Sequence, residues 1–219
     1  VKTVITGICG SGIIEVVAEM YLAGVVTQDG VIDGGLAAMN ARIQPDGRTF
    51  SYEIMPATET RGAVKIMQND IRAIQLAKAA LYAGVKLLMQ YQQVDKVDRI
   101  RFAGAFGSHI DVKYAMVLGL IPDCALDEVS SAGNAAGTGA RIALLNESSR
   151  AEIEQVVRKI EKIETAVEPD FQQLFIDAMA FPNKVDAFPE LEKVVTLPPI
   201  KEAKAETEGG EKKRRRRRS

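Results

Sequence analysis

The sequence predicts an α/β fold, a mixed sheet flanked by helices, and three observations predict it. Short apolar runs lead into glycine turns and then into segments of helical periodicity, one long amphipathic stretch occupies the middle of the chain, and 47% of the 219 residues are apolar against 26% charged. Alternating strand, glycine turn and helix is the pattern of helices packed on a sheet. At roughly 150 residues per domain the length suits one large domain, or one plus a subdomain, and such a chain buries about 70% of the surface its unfolded form exposes.

The elements follow in chain order. Thr3 to Gly7 reads like the end of a strand; residue 1 is Val rather than Met, and the expectation is a piece of a longer protein. From Gly12 to Gly24, Ile13, Val16, Val17 and Met20 share one helical face, and Gly24 is a stop. Residues 41 to 55 place a Pro-Asp-Gly turn between two alternating runs, a hairpin signal. Gln68 to Gln90 is the clearest helix, with Ile71, Ile74, Ala77, Leu81, Val85 and Leu88 on its expected apolar face and Asn69 or Asp70 suited to cap it. Arg99 to Ala103 is a strand running into Gly104-Ala105-Phe106-Gly107, followed by a helix over Val112 to Leu118. Val129 to Ser131 forms a small strand, Gly133 to Gly139 opens a helix through Leu145, and another helix covers about Arg150 to Ile160. Residues 163 to 182 are expected to hold a strand and a last helix, Asp170 to Met179. Prolines 182, 189, 198 and 199 mark a loose exit, which sets the expected domain at residues 1–182 and an extended segment with its tail at 183–219.

Charge separates the tail from the body. Lys201 to Ser219 carries nine Lys or Arg and four Glu, a local +5, so the rest of the chain carries −6 out of the total of −1. With no side chain larger than Ala among its apolar residues, this basic C-terminal tail is expected to be disordered. The run Arg214 to Arg218 suits a nucleic acid, an anionic lipid surface or an import receptor, or is simply solvated; the acidic body argues against a nucleic-acid binder. No apolar window approaches a membrane span and no secretory signal opens the chain. Two cysteines, Cys9 and Cys124, and one histidine, His109, supply neither the four thiolates of an iron–sulfur cluster nor a structural zinc set nor a disulfide framework. The cytoplasm is the expected compartment.

Three glycine segments stand at or near helix starts: Gly7 to Gly12, Gly104 to Gly107, and Gly133 to Gly139. Glycine lets a ligand approach the backbone, and a helix N-terminus adds unpaired N–H donors and a positive dipole end, so the three together favour a phosphate-bearing ligand. They do not name it. The first loop has P-loop glycine spacing, but Ile13 and Ile14 occupy the Lys and Ser/Thr places; it fails the dinucleotide fingerprint because position 15 is Glu.

Four segments, GICGSGIIEVVAEM, QNDIRAIQLAKAALYAGVKLLM, VDRIRFAGAFGSHIDVKYAMVLGLIPD and GNAAGTGARIALL, together resemble the C-terminal region of the reductive activators of corrinoid-dependent enzymes. That family belongs to the acetate and sugar kinase, Hsp70 and actin (ASKHA) superfamily, and the likeness runs from about residue 1 to 180. It implies an actin-like ATPase lobe within a longer protein that carries a 2Fe–2S ferredoxin domain upstream. It further implies that ATP and Mg²⁺ drive reduction of cob(II)amide to cob(I)amide on a corrinoid protein, or corrinoid methyltransferase, as partner. By the same resemblance Gly10, Ser11, Gly12 and Glu15 form a phosphate-facing loop, Gly104, Ala105 and Gly107 the adenosine motif, and Asn134, Gly137 and Gly139 the helix start backing the nucleotide. The first phosphate hairpin and the cluster domain are absent from the chain, so the segment alone is expected to be inactive. A small-molecule kinase of the same superfamily and a non-catalytic nucleotide- or partner-binding module remain open alternatives, and a homodimer is compatible with either.

Taken singly, Glu15 suits either a water-mediated Mg²⁺ contact or a surface position near a helix start. Lys78 either reaches ribose or phosphate or covers apolar surface with its stem. His109 contacts adenine or a partner, or is local structure, and Cys9 is expected to pack as a small apolar side chain rather than to react.

Overall fold

In the computed structural model, residue 5 and residues 7–59, 61–104 and 106–200 are described. Seven α-helices and five strands occur among them: α1 Gly10–Leu22, β1 Ile43–Asp46, β2 Thr49–Met55, β3 Val64–Met67, α2 Gln68–Tyr91, β4 Ile100–Ala103, α3 Val112–Val117, β5 Val129–Gly133, α4 Ala135–Leu145, α5 Glu147–Val157, α6 Phe171–Asp177 and α7 Pro189–Glu192. The basic tail expected at 201–219 lies outside the described residues. Among these residues no helix is long and apolar enough to cross a membrane.

Parallel and antiparallel pairing both occur, in separate sheets. β1, β2 and β3 form an antiparallel meander, and β4 pairs with β5 in parallel with Ile100 opposite Val129. The hairpin is where the sequence places it, but its turn is the two residues Gly47 and Arg48: Pro45 and Asp46 extend β1, opposite Phe50 and Thr49. Pro45 is tolerated because β1 is an edge strand, where a missing N–H leaves no ladder bond unmade.

α1 buries Ile14, Val17, Ala18, Met20 and Tyr21 against α3, whose Ala115, Met116 and Val117 are fully buried. The amide of Gly24 bonds the Tyr21 carbonyl and that of Val25 the Met20 carbonyl, the paired C-terminal motif that takes up two orphan acceptors. α2 ends the same way, with Gln93 bonding Gln90 and Val94 bonding Met89, but Gln93 occupies the left-handed region at φ 54°. Replacing Gln93 with Gly is therefore expected to stabilise the fold by about 1 kcal/mol, read as a higher urea midpoint, because glycine escapes the left-handed penalty there.

The α2 face differs from the one its apolar spacing suggests. Leu81 and Leu88 are about half exposed, while Gln75 and Lys78 are 2% and 1% exposed. The buried stripe keeps Ile71 and adds Ala79, Ala83 and Leu87, and along it runs a polar row that pins the chain segment after α6. Gln75 Nε2 donates to the Met179 carbonyl, Lys78 Nζ to those of Ala180 and Pro182, and Tyr82 OH to Asp186 Oδ2, with Lys86 Nζ 3.1 Å from the same carboxylate. Lys78 therefore reaches no open cleft, and its role is neither ribose contact nor a stem lying over surface. Asp70 does act at the helix start, accepting from the Met67 amide at 2.8 Å.

The stretch beyond Pro182 is no loose exit. Phe188 and Leu191 are at most 2% exposed and belong to the main core, and each such burial is worth about 1.5–3 kcal/mol. Asp123 caps α7, its carboxylate accepting from the amides of Glu190 and Leu191. The packed body thus continues to Val195 and Leu197, past the boundary the prolines suggest. No strand forms between 163 and 182; Thr165–Val167 is a single 3₁₀ turn.

Candidate nucleotide site

The parallel pair β4–β5 sets the site. Both strands end in a glycine turn, and the amide of Gly104 donates to the Gly133 carbonyl at 2.8 Å, joining the second glycine loop to the third. Gly104 and Gly133 take φ of 109° and 63°, which side-chain-bearing residues rarely adopt. The crevice beyond the carboxyl ends of adjacent parallel strands is where open α/β sheets bind ligands.

The first loop joins through an aromatic ring. Phe106 lies so closely over Gly10 that a Cβ there would stand 2.7 Å from its ring. All three glycine loops picked out by the sequence are thus in one continuous chain of contacts: Gly10 to Phe106, and Gly104 to Gly133. Phe106 is the functional neighbour that the glycine spacing does not single out; its signal in the sequence is an aromatic residue set between Gly104 and Gly107.

Two helix N-termini in this arrangement are built alike. At α1, Cys9 is the cap: its Sγ accepts from the Gly12 amide at 3.4 Å and its carbonyl from Ile13 at 3.0 Å. At α4, Asn134 Oδ1 accepts from the Gly137 amide at 3.0 Å and its carbonyl from Thr138 at 3.0 Å. The amides of Gly10, Ala135 and Ala136 have no acceptor among the described residues, while that of Ser11 is directed at the Cys9 thiol. Neither first turn holds an acidic side chain. Three unspent donors at positive dipole ends suit an anion such as a phosphate.

Cys9 is exposed rather than packed, contrary to the expectation from its type. Its thiol is held below the ordinary value first by the Ser11 hydroxyl at 3.5 Å and then by the Gly12 amide. Gly137 leaves room for the Asn134 cap, since a Cβ there would lie 2.8 Å from Asn134 Nδ2, and Gly107 lets the turn close on Phe102; Gly139 has open space around it. Gly107 opens only a 3₁₀ turn, Gly107–His109, and α3 starts five residues later with Asp111 as cap. His109 is exposed at the end of that turn. Ala105 lies outside the described residues.

Glu15 sits in the second turn of α1 and makes no hydrogen bond or ion pair with the described residues. It lines a cavity of about 450 Å³ together with Arg42, Tyr52 and Tyr114, whose hydroxyl donates to Glu19. Among the described residues no group of three or more His, Cys, Asp or Glu is placed to hold a metal, and Cys9 and Cys124 are far too few for an iron–sulfur cluster.

Comparison with known proteins gives the arrangement a family. Residues 1–192 match the family described as the C-terminal domain of RACo, the ASKHA domain. The chain belongs to this family. It is 35% identical over 193 residues to the corrinoid activation enzyme RamQ of Eubacterium limosum, a match that covers 84% of this chain and 32% of that protein. A solved structure titled reductive activator for corrinoid,iron-sulfur protein superposes with a TM-score of 0.71 at 31% identity, covering 81% of this chain and 28% of that one. This ASKHA domain therefore spans about a third of the length of the relatives it matches. The actin-like α/β lobe expected from the four sequence segments is the fold found.

Within this ASKHA domain the Gly10–Phe106 contact offers a direct probe. Gly10→Ala pushes against the far end of a flexible ring, so it is expected to leave the melting temperature within a few degrees while displacing Phe106 and weakening nucleotide binding about tenfold. Calorimetric titration of Mg·ATP beside a thermal melt reads both.

Proposed function

We propose that this ASKHA domain is the ATP-binding portion of a longer, ATP-dependent reductive activator that returns cob(II)amide to cob(I)amide on a corrinoid protein. The observation that carries the reading is the convergence of three glycine loops with three unspent amides at the starts of α1 and α4. The names of the relatives, an activation enzyme for a corrinoid and a reductive activator for a corrinoid iron–sulfur protein, support the choice of partner.

In this reading the Gly10, Ala135 and Ala136 amides donate to phosphate oxygens, and the turns at Gly104 and Gly133 let the nucleotide meet bare backbone. Glu15, which has no partner among the described residues, would hold Mg²⁺ through water. Bound there, ATP supplies the free energy of phosphoanhydride cleavage. No residue of this chain suits the 2Fe–2S centre, which belongs to another part of the activator.

The test uses the protein with the coding sequence upstream of residue 1 included and its cluster reconstituted. The expected result is ATP hydrolysis coupled to the appearance of cob(I)amide on the corrinoid partner, followed by the corrinoid's visible absorbance. Failure of both ATP hydrolysis and corrinoid reduction overturns the proposal, and a phosphorylated small molecule in a substrate screen favours a kinase instead.

A further inference from the structure

The largest cavity described, about 720 Å³, lies away from the glycine loops, between the 27–35 loop, the tip of the β1–β2 hairpin and the first turns of α2. Its wall is built. Gln68 Oε1 accepts from the Ile32 amide at 3.0 Å while its Nε2 donates to the Gly30 carbonyl at 2.6 Å, and Gln75 Nε2 donates to the Asp29 carbonyl at 2.9 Å. Gly30 presses on Gln75 and Gly34 on the Phe50 ring so tightly that a Cβ would stand 2.3 Å and 2.0 Å from them. The loop is thereby fixed to α2 and to the hairpin with space left between them.

The lining combines an apolar surface, Val31, Ile32 and Phe50, with two guanidinium groups, Arg48 at the hairpin turn and Arg72 in the second turn of α2. Neither arginine makes an ion pair or hydrogen bond with the described residues, and the Asn69 side chain makes none either. Of the two acidic lining residues, Asp33 is engaged by the Gly35 amide at 2.9 Å, while Asp29 is exposed. Arginine's planar fork matches carboxylate geometry, and pockets of this size with an apolar wall and few polar groups are the usual form of small-molecule sites.

We propose that this cavity is a second ligand site, distinct from the nucleotide site, for a small organic acid: a carboxylate held by Arg48 and Arg72, with an apolar or aromatic body against Phe50 and Val31. The inference does not rest on the ATP reading, and its test is separable from it.

1-Naphthoate is the probe, titrated calorimetrically into the 219-residue chain, with naphthalene-methanol and inorganic phosphate as comparators. The expected result is one naphthoate site, much weaker binding of either comparator, and no displacement by Mg·ATP. The double variant Arg48→Ala/Arg72→Ala loses about tenfold or more in affinity with an unchanged thermal melt, and Arg48→Lys/Arg72→Lys recovers part of it. Asn69→Trp, which fills the cavity from an exposed position, also abolishes binding. The proposal is overturned by absence of binding to folded wild-type chain at millimolar probe, by equal binding of the uncharged alcohol, by phosphate binding as well as naphthoate, or by affinity indifferent to the arginines. It is equally overturned if Mg·ATP competes.

Discussion

Lys78→Ala is expected to destabilise the chain by about 3 kcal/mol in urea denaturation near neutral pH. The lysine stem fills core between α2 and the 178–188 segment, and its Nζ satisfies the carbonyls of Ala180 and Pro182 while lying 5.4 Å from the Phe181 ring centre. Truncation leaves a cavity and two buried acceptors without donors. The same residue shapes the pH dependence. Burial without a carboxylate pushes the Lys78 ammonium down from 10.5 to about 7. Between those values the unfolded chain holds a proton that the folded chain has released, so stability rises with pH across that window. The tyrosines packed nearby act in the opposite sense. Burial pushes Tyr21 up to about 12, and burial with the Asp186 hydrogen bond pushes Tyr82 further up, so above pH 10 the unfolded chain ionises first and stability falls. The expected profile rises from neutral pH to a maximum near about pH 10. In Lys78→Ala the rising limb disappears while the alkaline fall remains. A wild-type profile flat between pH 7 and 10 would contradict this assignment.

Gly119→Ala is expected to cost about 3 to 4 kcal/mol, against about 1 kcal/mol for Gly24→Ala. Both glycines close a helix with the same paired hydrogen bonds and take nearly the same conformation, φ 71° and 68°. They differ in what surrounds them. A Cβ at 119 would stand 1.9 Å from the Pro182 carbonyl oxygen, whereas nothing lies within 4 Å of one at 24. The difference between the two variants thus isolates the contact of α3 with the segment after α6. Because Lys78 Nζ holds the same Pro182 carbonyl at 2.7 Å, the Lys78→Ala and Gly119→Ala effects are expected to be non-additive in a double-mutant cycle. Additive effects would mean that the two residues act on the segment independently.

The Pro182 region also shows why part of the fold was not legible in the sequence. Helix spacing in α2 correctly gave its extent, but the stripe that faces the core carries Gln75, Lys78 and Tyr82, and an apolar count cannot choose a face that is buried through hydrogen bonds to a distant backbone. For the same reason the prolines after 182 read as an exit: nothing local announces that Asp123, more than sixty residues earlier, caps α7. The glycine loops were legible because their conformational demand is written in residue type. What brings them together, the Phe106 ring over Gly10 and the Gly104–Gly133 hydrogen bond, depends on strand pairing and could not be read from spacing. Cys9 departs from the usual packing of cysteine as a small apolar group because the chain entering α1 leaves it at the exposed cap.

The joined loops are mounted on supports of unequal stiffness. α1 is anchored by five buried residues and a closed C-terminus, while α4 and α5 pack on each other and bury no residue among those described, with Leu144 and Leu145 about three-quarters exposed. Any strain that a ligand imposes on the shared loops is therefore relieved by displacement of α4 and α5 rather than of the core. The pair is the compliant arm of the site, and its bare apolar side is the surface on which such a movement would be felt.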